Sequence, residues 1–435
     1  MSRTRPSDFN SRLPGFYKLT IAQRMALVAE RTGISQRDCE TLLGETLSPE
    51  QADLMVENVI GVFGLPIGLA GNVRVNGKDY LVPMVVEETS VVAAVSSAAK
   101  LVREHGELTA TATEPIMIGQ IQIAGITDFP AAIRRITSTR DRLLAMANAM
   151  DPILVEHGGG ARDLEVREVQ TAGDRLLVVH ILADVRDAMG ANAINTMAET
   201  LGPLIAELTG GVLLCQILSN LSDQRLVTAR FSLDPTCLAR AGFTGQEVAR
   251  RIVQAYEFAD ADPYRAATHN KGIMNGIDAV LLATGNDWRA VEAGAHAYAA
   301  RDGRYRSLTR FHLDARGQLQ GELEMPLAVG TIGGVTKIHE GVKIIYHIMG
   351  FDSTRELTEL IGGIGLLQNF CAIRALVSEG IQRGHMSLHA KNLAVFAGAD
   401  PALAHRVGER LVREGTVTYH RAVELVKEMR GAAAE

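Results

Sequence analysis

The chain has 435 residues, 47% of them hydrophobic, so it can bury a large core and is long enough for two or three domains. Its 44 lysines and arginines are nearly balanced by 50 aspartates and glutamates, and the formal net charge of −6 is mixed in sign along the sequence. A basic surface for nucleic acid is therefore disfavoured. Four widely spaced cysteines without a CxxC pair argue against a disulfide framework and a structural zinc site: Cys39, Cys215, Cys237 and Cys371.

The N-terminal residues lack the apolar core of a signal peptide. Longer apolar runs are broken by Gly, Asp or Glu well short of a membrane span. We therefore expect a cytoplasmic protein that does not bind a membrane, in keeping with the reducing compartment that the cysteine usage favours.

The first hundred residues predict short helices followed by a hairpin. Apolar positions recur at helical spacing in LTIAQRMALVAERTG (residues 19–33) and SPEQADLMVENVIGVFG (residues 48–64). In GNVRVNGKDYLVPMVV, the dipeptide Asn76-Gly77 lies between β-branched runs and predicts a hairpin turn. A helix of small residues follows from Ser90, and its Ala and Ser face would allow close packing.

Residues 112–221 predict the order βαββαβ. The predicted elements are a strand (116–125), a helix (128–150), two strands (161–170 and 174–185), a helix from Ala191 and a strand (211–220). This order resembles a ferredoxin-like split unit inserted into a larger domain. The chain after about residue 377 predicts only helices.

The segment DAMGANAINTMAE, from Asp187 to Glu199, follows a run typical of a buried strand. Gly190 stands where a helix pattern begins, and Asn192 and Asn195 share one helix face. A helix N-terminus offers unpaired N–H groups and partial positive charge to a pyrophosphate, and glycine permits a close approach. A glycine-bearing N-cap without a ligand explains the same pattern. Since no GxGxxG follows a strand, a Rossmann fold is not expected.

Four residues are candidates for catalysis, and each has an ordinary structural explanation. Lys271 lies in what the sequence predicts to be a polar, glycine-bearing turn, and could equally be a surface lysine. Glu88 lies where a strand gives way to a helix, so it could simply cap that helix. Asp287 could be the N-cap of the helix that begins at Trp288, and His385, beside a predicted helix start, could be structural.

Five motifs together resemble one family, the 3-hydroxy-3-methylglutaryl-CoA reductases. Their fixed order is far more specific than any one motif, and the resemblance covers nearly the whole chain. The form of the motifs and the lack of an anchor resemble the second, mostly bacterial and soluble, class of the family. The motifs are ENVIGVFGLPIGLAG from Glu57, EETSVVAA from Glu87, DAMGAN from Asp187, NKGIMNGIDAVLLATGND from Asn270 and GHMSLHAKNLA from Gly384.

The resemblance implies a multidomain α+β fold. Residues 1–111 and 222–376 would form a large mixed domain for the CoA thioester. Residues 112–221 would form an inserted ferredoxin-like, non-Rossmann dinucleotide domain, and residues 377–435 a C-terminal helical flap. Family members assemble the active site across a dimer interface, so a homodimer or an assembly of dimers is implied.

The activity implied is the interconversion of 3-hydroxy-3-methylglutaryl-CoA and mevalonate plus CoA. Two successive hydride transfers with NAD(P)(H) would pass through mevaldyl-CoA and mevaldehyde, and no metal is implied. By resemblance, Lys271 holds the substrate oxygen and Glu88 exchanges protons with it. Asp287 would tune both through hydrogen bonds, and His385 would protonate the departing CoA thiolate.

The family pattern also assigns binding residues. Arg265 suits the terminal carboxylate of the acyl group. Asp151 would accept the adenosine ribose hydroxyls and repel a 2′-phosphate, favouring NADH over NADPH, although it could also begin an Asp-Pro turn. The substrate set is Ser90, Asn220, Arg265, Asn275 and Gln368, and the cofactor set is Asp151, Asp187, Met189, Gly190 and Asn192.

Two alternatives to this activity remain. A protein of the same fold could bind nucleotide or acyl-CoA without turnover, although all four catalytic residue types are present. A reductase of a different acyl-CoA is the other alternative. Arg265 and Asn275 discriminate against it, because a ligand without the distal carboxylate leaves the guanidinium unpaired. The physiological direction is not decided by the sequence.

Overall fold

A computed structural model of the protein describes residues 9–380 and 390–431. Helices combine with antiparallel sheets, and the α+β class expected from the sequence is confirmed. Within the described residues there are three sheets, one of two strands and two of four strands.

The first part of the chain contains three capped helices, a hairpin and a long helix. Side chains of Thr20, Ser35 and Ser48 each accept a hydrogen bond from the backbone N–H three residues later, which begins a helix at each point. Asn76 and Gly77 both have positive φ, so the predicted hairpin turn is confirmed. The elements are α1 (Ile21–Thr32), α2 (Gln36–Leu43), α3 (Pro49–Asp53), β1 (Ile67–Val75), β2 (Lys78–Val85), α4 (Val91–His105) and β3 (Gly106–Ala112).

The helix predicted over residues 48–64 is wrong beyond its first turns. α3 ends at Asp53, and Ile60 and Phe63 are exposed rather than packed on a core. An amphipathic pattern forms a helix only where its apolar face finds a partner, and Gly61 and Gly64 further weaken it.

The middle of the chain forms a four-stranded antiparallel sheet with helices packed on it. Strands and helices occur in the predicted order with two differences. The single helix expected over 128–150 is broken at Thr139 into two, and a short helix over Pro152–Glu156 was not predicted. Of these helices, α8 packs on β4 and β7. The elements are β4 (Ile116–Ala124), α5 (Phe129–Ser138), α6 (Arg140–Ala149), α7 (Pro152–Glu156), β5 (Gly160–Gln170), β6 (Arg175–Asp184), α8 (Ala191–Thr209) and β7 (Val212–Ser219).

After the middle unit, the chain returns to the sheet that contains β3. Gly106–Ala112 pairs with Leu226–Leu233, so the segments before and after the middle unit share one sheet. The elements are β8 (Leu226–Leu233), α9 (Gly245–Ala261), α10 (Pro263–Ala283), α11 (Trp288–Ala299), β9 (Thr309–Leu313), β10 (Leu319–Pro326), α12 (Gly334–Ile338), α13 (Glu340–Met349) and α14 (Thr354–Leu376).

The buried apolar residues form separate cores. One joins α4, α10 and α14 to the sheet of β3, and a second lies between the middle sheet and its helices. A third holds together the C-terminal helices α15 (Pro401–Glu414) and α16 (Tyr419–Gly431) with helical residues 390–396. Within 9–380 and 390–431, no helix is both long and apolar enough to cross a membrane.

Candidate active site

Lys271 lies inside a helix and not in the turn predicted from its glycine-rich surroundings. Pro263 begins α10 with Asp262 as its N-cap, and the helix continues through Gly272 and Gly276 to Ala283. Glycine is tolerated here because α14 packs closely: a Cβ on Gly276 would lie 2.9 Å from the Cβ of Gln368. The two helices therefore form one wall of a cleft.

This cleft has a volume of about 460 Å³ and lies between α10, α14 and the start of α4. Six residues that the sequence assigned to catalysis or substrate binding line it together. They come from three separate segments of the chain: Glu88, Ser90, Arg265, Lys271, Asn275 and Gln368.

Lys271 and Glu88 form an ion pair in the cleft. The Nζ of Lys271 lies 2.6 Å from the Oε2 of Glu88, and both side chains are partly exposed. Glu88 lies in the loop that joins Val85, the last residue of β2, to Val91, the first residue of α4. The strand therefore ends earlier than the sequence predicted, and Glu88 belongs to neither element. A cation beside a carboxylate can stabilise a developing oxyanion and exchange a proton at the same atom.

Ser90 and Arg265 give the cleft a strained backbone and an anion site. Ser90 has φ of 73° at the start of α4, a left-handed conformation that costs a non-glycine residue about 1–3 kcal/mol. Burial lowers the pKa of the half-buried Arg265 guanidinium. Within the described part of the chain, no carboxylate forms an ion pair with it, which leaves it available to an anionic ligand.

Two assigned residues lie away from the cleft, and a third lies outside the described residues. Asp287 caps α11, accepting a hydrogen bond from the backbone N–H of Ala290 at 3.0 Å. Asn220 is exposed just after β7. Neither lines the cleft in the single chain. His385 falls within 381–389, outside the described residues.

The predicted helix start at Gly190 is confirmed. Gly190 has φ of 101° and precedes α8, and a Cβ there would lie 2.6 Å from a methyl group of Val185. Asn192 is exposed in the first turn. Asn195 instead accepts a hydrogen bond from the backbone N–H of Leu218 at 2.9 Å, so its role is structural.

Asp187 and Met189 hold the turn in place through local contacts. The carboxylate of Asp187 accepts from the backbone N–H of Thr354 at 3.2 Å. Met189 accepts through its carbonyl from the guanidinium of Arg225 at 3.0 Å. A Cβ on Gly330 would lie 2.4 Å from the nitrogen of Met189, so a second glycine lets the chain pass against this turn.

Arg225 is a residue that the sequence analysis missed. It is only 3% exposed, and it also donates to the carbonyls of Ala188 and Val329. Burial lowers its pKa to about 10, while Asp184 and Asp187 oppose that shift. Its partners are backbone carbonyls distant in sequence, so no local pattern could have identified it.

Asp151 occupies the N-cap of α7. Its carboxylate accepts a hydrogen bond from the backbone N–H of Leu154 at 2.9 Å, and Pro152 is the first helical residue. The sequence left open an Asp-Pro turn at this point, and the structure shows the start of a short helix there.

The cleft lining also includes Arg240, Glu379 and His269, which the sequence did not predict. Arg240 and Glu379 form an ion pair at its edge. His269 is buried beside Arg265 on the same face of α10. Recognising α10 as a helix would have revealed His269, because residues four apart share a helix face.

The comparisons with known proteins define first a class and then a family. A sequence profile described as hydroxymethylglutaryl-coenzyme A reductase matches residues 20–390, so the protein is an oxidoreductase by class. The 3-hydroxy-3-methylglutaryl-coenzyme A reductase of Archaeoglobus fulgidus is 48% identical over 421 residues, covering 97% of this chain and 95% of that protein. The chain belongs to the hydroxymethylglutaryl-coenzyme A reductase family.

More distant relatives and solved structures agree. The probable reductase of Borreliella burgdorferi is 37% identical over 78% of this chain and 77% of its own length. A Streptococcus pneumoniae reductase structure has a TM-score of 0.82 and 44% identity, covering 96% of this chain and 99% of that one. The class II enzyme from the same organism, bound to NADPH in open conformations, has a TM-score of 0.81 and 46% identity over 84% of this chain and 99% of its own.

Proposed function

We propose that this chain interconverts 3-hydroxy-3-methylglutaryl-CoA and mevalonate plus CoA by two successive hydride transfers, through mevaldyl-CoA and mevaldehyde. The observation that carries the proposal is the pairing of Lys271 with Glu88 in the same cleft as Arg265, which forms no ion pair within residues 9–380 and 390–431. A reductase of this substrate needs an oxyanion site, a proton donor and an anchor for the distal carboxylate.

The cleft suits the length of the acyl group. Arg265 and Lys271 are six residues apart on α10, which corresponds to about 9 Å along a helix axis. A glutaryl chain with its carboxylate on Arg265 can therefore present its thioester carbonyl near Lys271. Ser90, Asn275 and Gln368 line the same cleft and could supply polar contacts to the acyl group.

In the mechanism proposed, Lys271 donates to the carbonyl oxygen as negative charge develops there. Glu88 then delivers a proton to that oxygen in the reductive direction and removes it in the oxidative one. His385, on a C-terminal flap of residues 377–435, protonates the CoA thiolate as it leaves. Bound nicotinamide supplies and accepts hydride.

Residues 112–221 would hold the dinucleotide as a ferredoxin-like domain inserted between residues 1–111 and 222–376. The sheet order β5-β6-β4-β7 and the pairing of β3 with β8 around it support this division. The unpaired N–H groups at the start of α8 and the missing Cβ of Gly190 fit a pyrophosphate, with Asn192, Asp187 and Met189 around it.

We propose NADH ahead of NADPH on the strength of Asp151, whose second carboxylate oxygen suits ribose hydroxyls and repels a 2′-phosphate. A solved structure of the Streptococcus pneumoniae class II enzyme is bound to NADPH, so a preference for NADH would distinguish this chain from that relative. Competing rates with both cofactors, for the native chain and Asp151→Ser, test it. A native preference for NADPH would refute the role of Asp151.

The active site would be completed by a second copy of the chain. Asp287 and Asn220 do not line the cleft of their own chain, as expected if the partner copy supplies them. A row of exposed apolar side chains precedes β1 and would be covered in a dimer: Leu54, Val56, Ile60, Val62 and Phe63.

Absorbance at 340 nm tests the reaction directly. With 3-hydroxy-3-methylglutaryl-CoA and reduced nicotinamide, about two cofactors should be oxidised per mevalonate formed. Tight binding of substrate and cofactor without turnover in either direction would instead favour a binding protein of the same fold. Turnover of other acyl-CoA thioesters at equal efficiency would favour the broader reductase.

Mixing inactive variants tests the shared site. If Asp287 of one copy serves Lys271 of the other, mixed Lys271→Ala and Asp287→Ala dimers contain one intact site, and random exchange restores about one quarter of native activity. No recovery after unfolding and refolding the mixture would place both residues in the site of a single chain.

A further inference from the structure

His269 is a buried histidine at the inner edge of the cleft that the proposed mechanism does not use. It is 2% exposed, lies one turn after Arg265 on α10, and lines the cleft with Gln368 and Asn369. The Nε2 of its ring lies 2.6 Å from the Oγ1 of Thr309 on β9. Its Nδ1 is buried and has no hydrogen-bond partner among the described residues.

The surrounding hydrogen bonds determine which ring nitrogen carries the proton. Asn369 donates through Nδ2 to the carbonyl of His269, so its Oδ1 faces the hydroxyl of Thr309 as an acceptor at 2.9 Å. The hydroxyl proton of Thr309 is thereby used, and Thr309 must accept from the Nε2–H of His269. The neutral ring then presents a lone pair at Nδ1.

A second buried acceptor lines the same cleft. The Oε1 of Gln368 has no partner within the described part of the chain, and the residue is 5% exposed. Burial and the charge of Arg265 lower the pKa of His269 to about 3, so its Nδ1 remains an acceptor throughout the working range of pH. An unsatisfied buried polar group costs about 1–3 kcal/mol, which a ligand with a donor would recover.

We infer that His269 and Gln368 form a subsite that accepts a hydrogen bond from the tertiary hydroxyl of the bound acyl group. The inference rests on the proposed function and deepens it. The carboxylate and the thioester carbonyl of the substrate carry only acceptors, so lone pairs on His269 and Gln368 would repel them. With the carboxylate on Arg265, one turn away, the hydroxyl is the donor of the acyl group that can satisfy them.

The subsite would make the enzyme select a hydroxylated substrate. A site that accepts a hydrogen bond from a substrate hydroxyl rejects the analogue that lacks it, because its own polar atoms are then left buried and unpaired. Substrate choice would therefore depend on a residue that takes no part in hydride or proton transfer.

The test compares the binding of two thioesters by calorimetry, 3-hydroxy-3-methylglutaryl-CoA and 3-methylglutaryl-CoA, to the full chain. The native protein should bind the hydroxylated ligand about tenfold tighter or more. His269→Gln keeps a donor for Thr309 but loses the acceptor at the Nδ1 position, and should reduce this ratio to near one. His269→Asn keeps an acceptor close to Nδ1 and should retain part of the preference.

Gln368→Met provides a second variant that does not touch the Thr309 network, and it should also reduce the ratio. An unchanged ratio in both His269→Gln and Gln368→Met, each with native thermal stability, would overturn the inference and indicate that a buried water satisfies the two acceptors. Native protein that binds neither thioester would overturn the proposed function, and the inference with it.

Discussion

Lys271 and Glu88 are 183 positions apart in sequence, yet Nζ and Oε2 lie 2.6 Å apart across the mouth of the cleft. The pair is 60% and 42% exposed, and ion pairs this exposed contribute about 0–1 kcal/mol to stability. Folding stability alone therefore gives little reason for the pairing, and a role in chemistry accounts for it better.

Replacing Lys271 should remove activity and leave stability almost unchanged. We expect Lys271→Ala to lower kcat by about 10²–10³, since an electrostatic contact to the developing oxyanion is lost. Steady-state rates at 340 nm and the melting temperature measure the two effects. Lys343→Ala is the matched control, because Lys343 also forms an exposed 2.6 Å pair, with Glu340. An equal fall in kcat in Lys271→Ala and Lys343→Ala would contradict the catalytic role of Lys271.

Adding a Cβ at Gly190 should disturb the start of α8. Gly190→Ala combines a positive φ with a clash against Val185. We therefore expect the free energy of unfolding to fall by about 3 kcal/mol and dinucleotide binding to weaken. Gly210→Ala, at the other end of the same helix, has φ of 71° and open space around its Cβ. It should cost about 1 kcal/mol and leave affinity unchanged. Denaturation and fluorescence titration with the dinucleotide separate the cases, and unchanged affinity in Gly190→Ala would contradict a pyrophosphate site there.

Removing the buried guanidinium of Arg225 should destabilise the turn that contains Met189. Arg225→Met leaves backbone carbonyls of Ala188, Met189 and Val329 without their donor, at a cost of about 3–5 kcal/mol. Arg230→Met is the control, because that side chain is 59% exposed and pairs only at the surface with Glu322. A melting temperature equally lowered in both variants would show that the buried contacts contribute nothing specific.

Asp278 should make stability depend on pH. Burial, followed by a hydrogen bond and repulsion from Glu292, raises the pKa of this carboxyl to about 8. Between the ordinary pKa of an aspartate, about 4, and this raised pKa, the folded state holds a proton that the unfolded state has released. The contribution of Asp278 to the free energy of unfolding is therefore most favourable at low pH, and it falls as the pH rises from about 4 to 8.

Asp278→Asn mimics the protonated carboxyl and should flatten this dependence, raising the melting temperature at pH 8 by roughly 2–4 °C. Melting curves between pH 5 and 9 measure it. Asp141→Asn, whose carboxylate is 98% exposed, should follow the native protein throughout. An Asp278→Asn profile parallel to the native one would show that the carboxyl is ionised when folded.

Local patterns predicted much of the fold. The hairpin at Asn76-Gly77 and the helix start at Gly190 were predicted because each depends on backbone conformations that particular residues favour. The helix over 48–64 and the turn around Lys271 were predicted wrongly. In both cases packing decides whether a helix forms. The segment around Ile60 has no packing partner and is not helical, whereas α14 packs against Gly276 and the segment around Lys271 is helical.

The sequence by itself determined the family and the residue types of the chemistry, because five ordered motifs are specific whatever the geometry between them. Only the tertiary structure decided which of these residues meet. Packing of α10 against α14 brings Arg265, Lys271 and Gln368 to one cleft, while Asp287 caps a helix elsewhere. The pairing of Lys271 with Glu88 and the buried lone pair of His269 depend on contacts between distant segments, and no local pattern in a chain encodes such contacts.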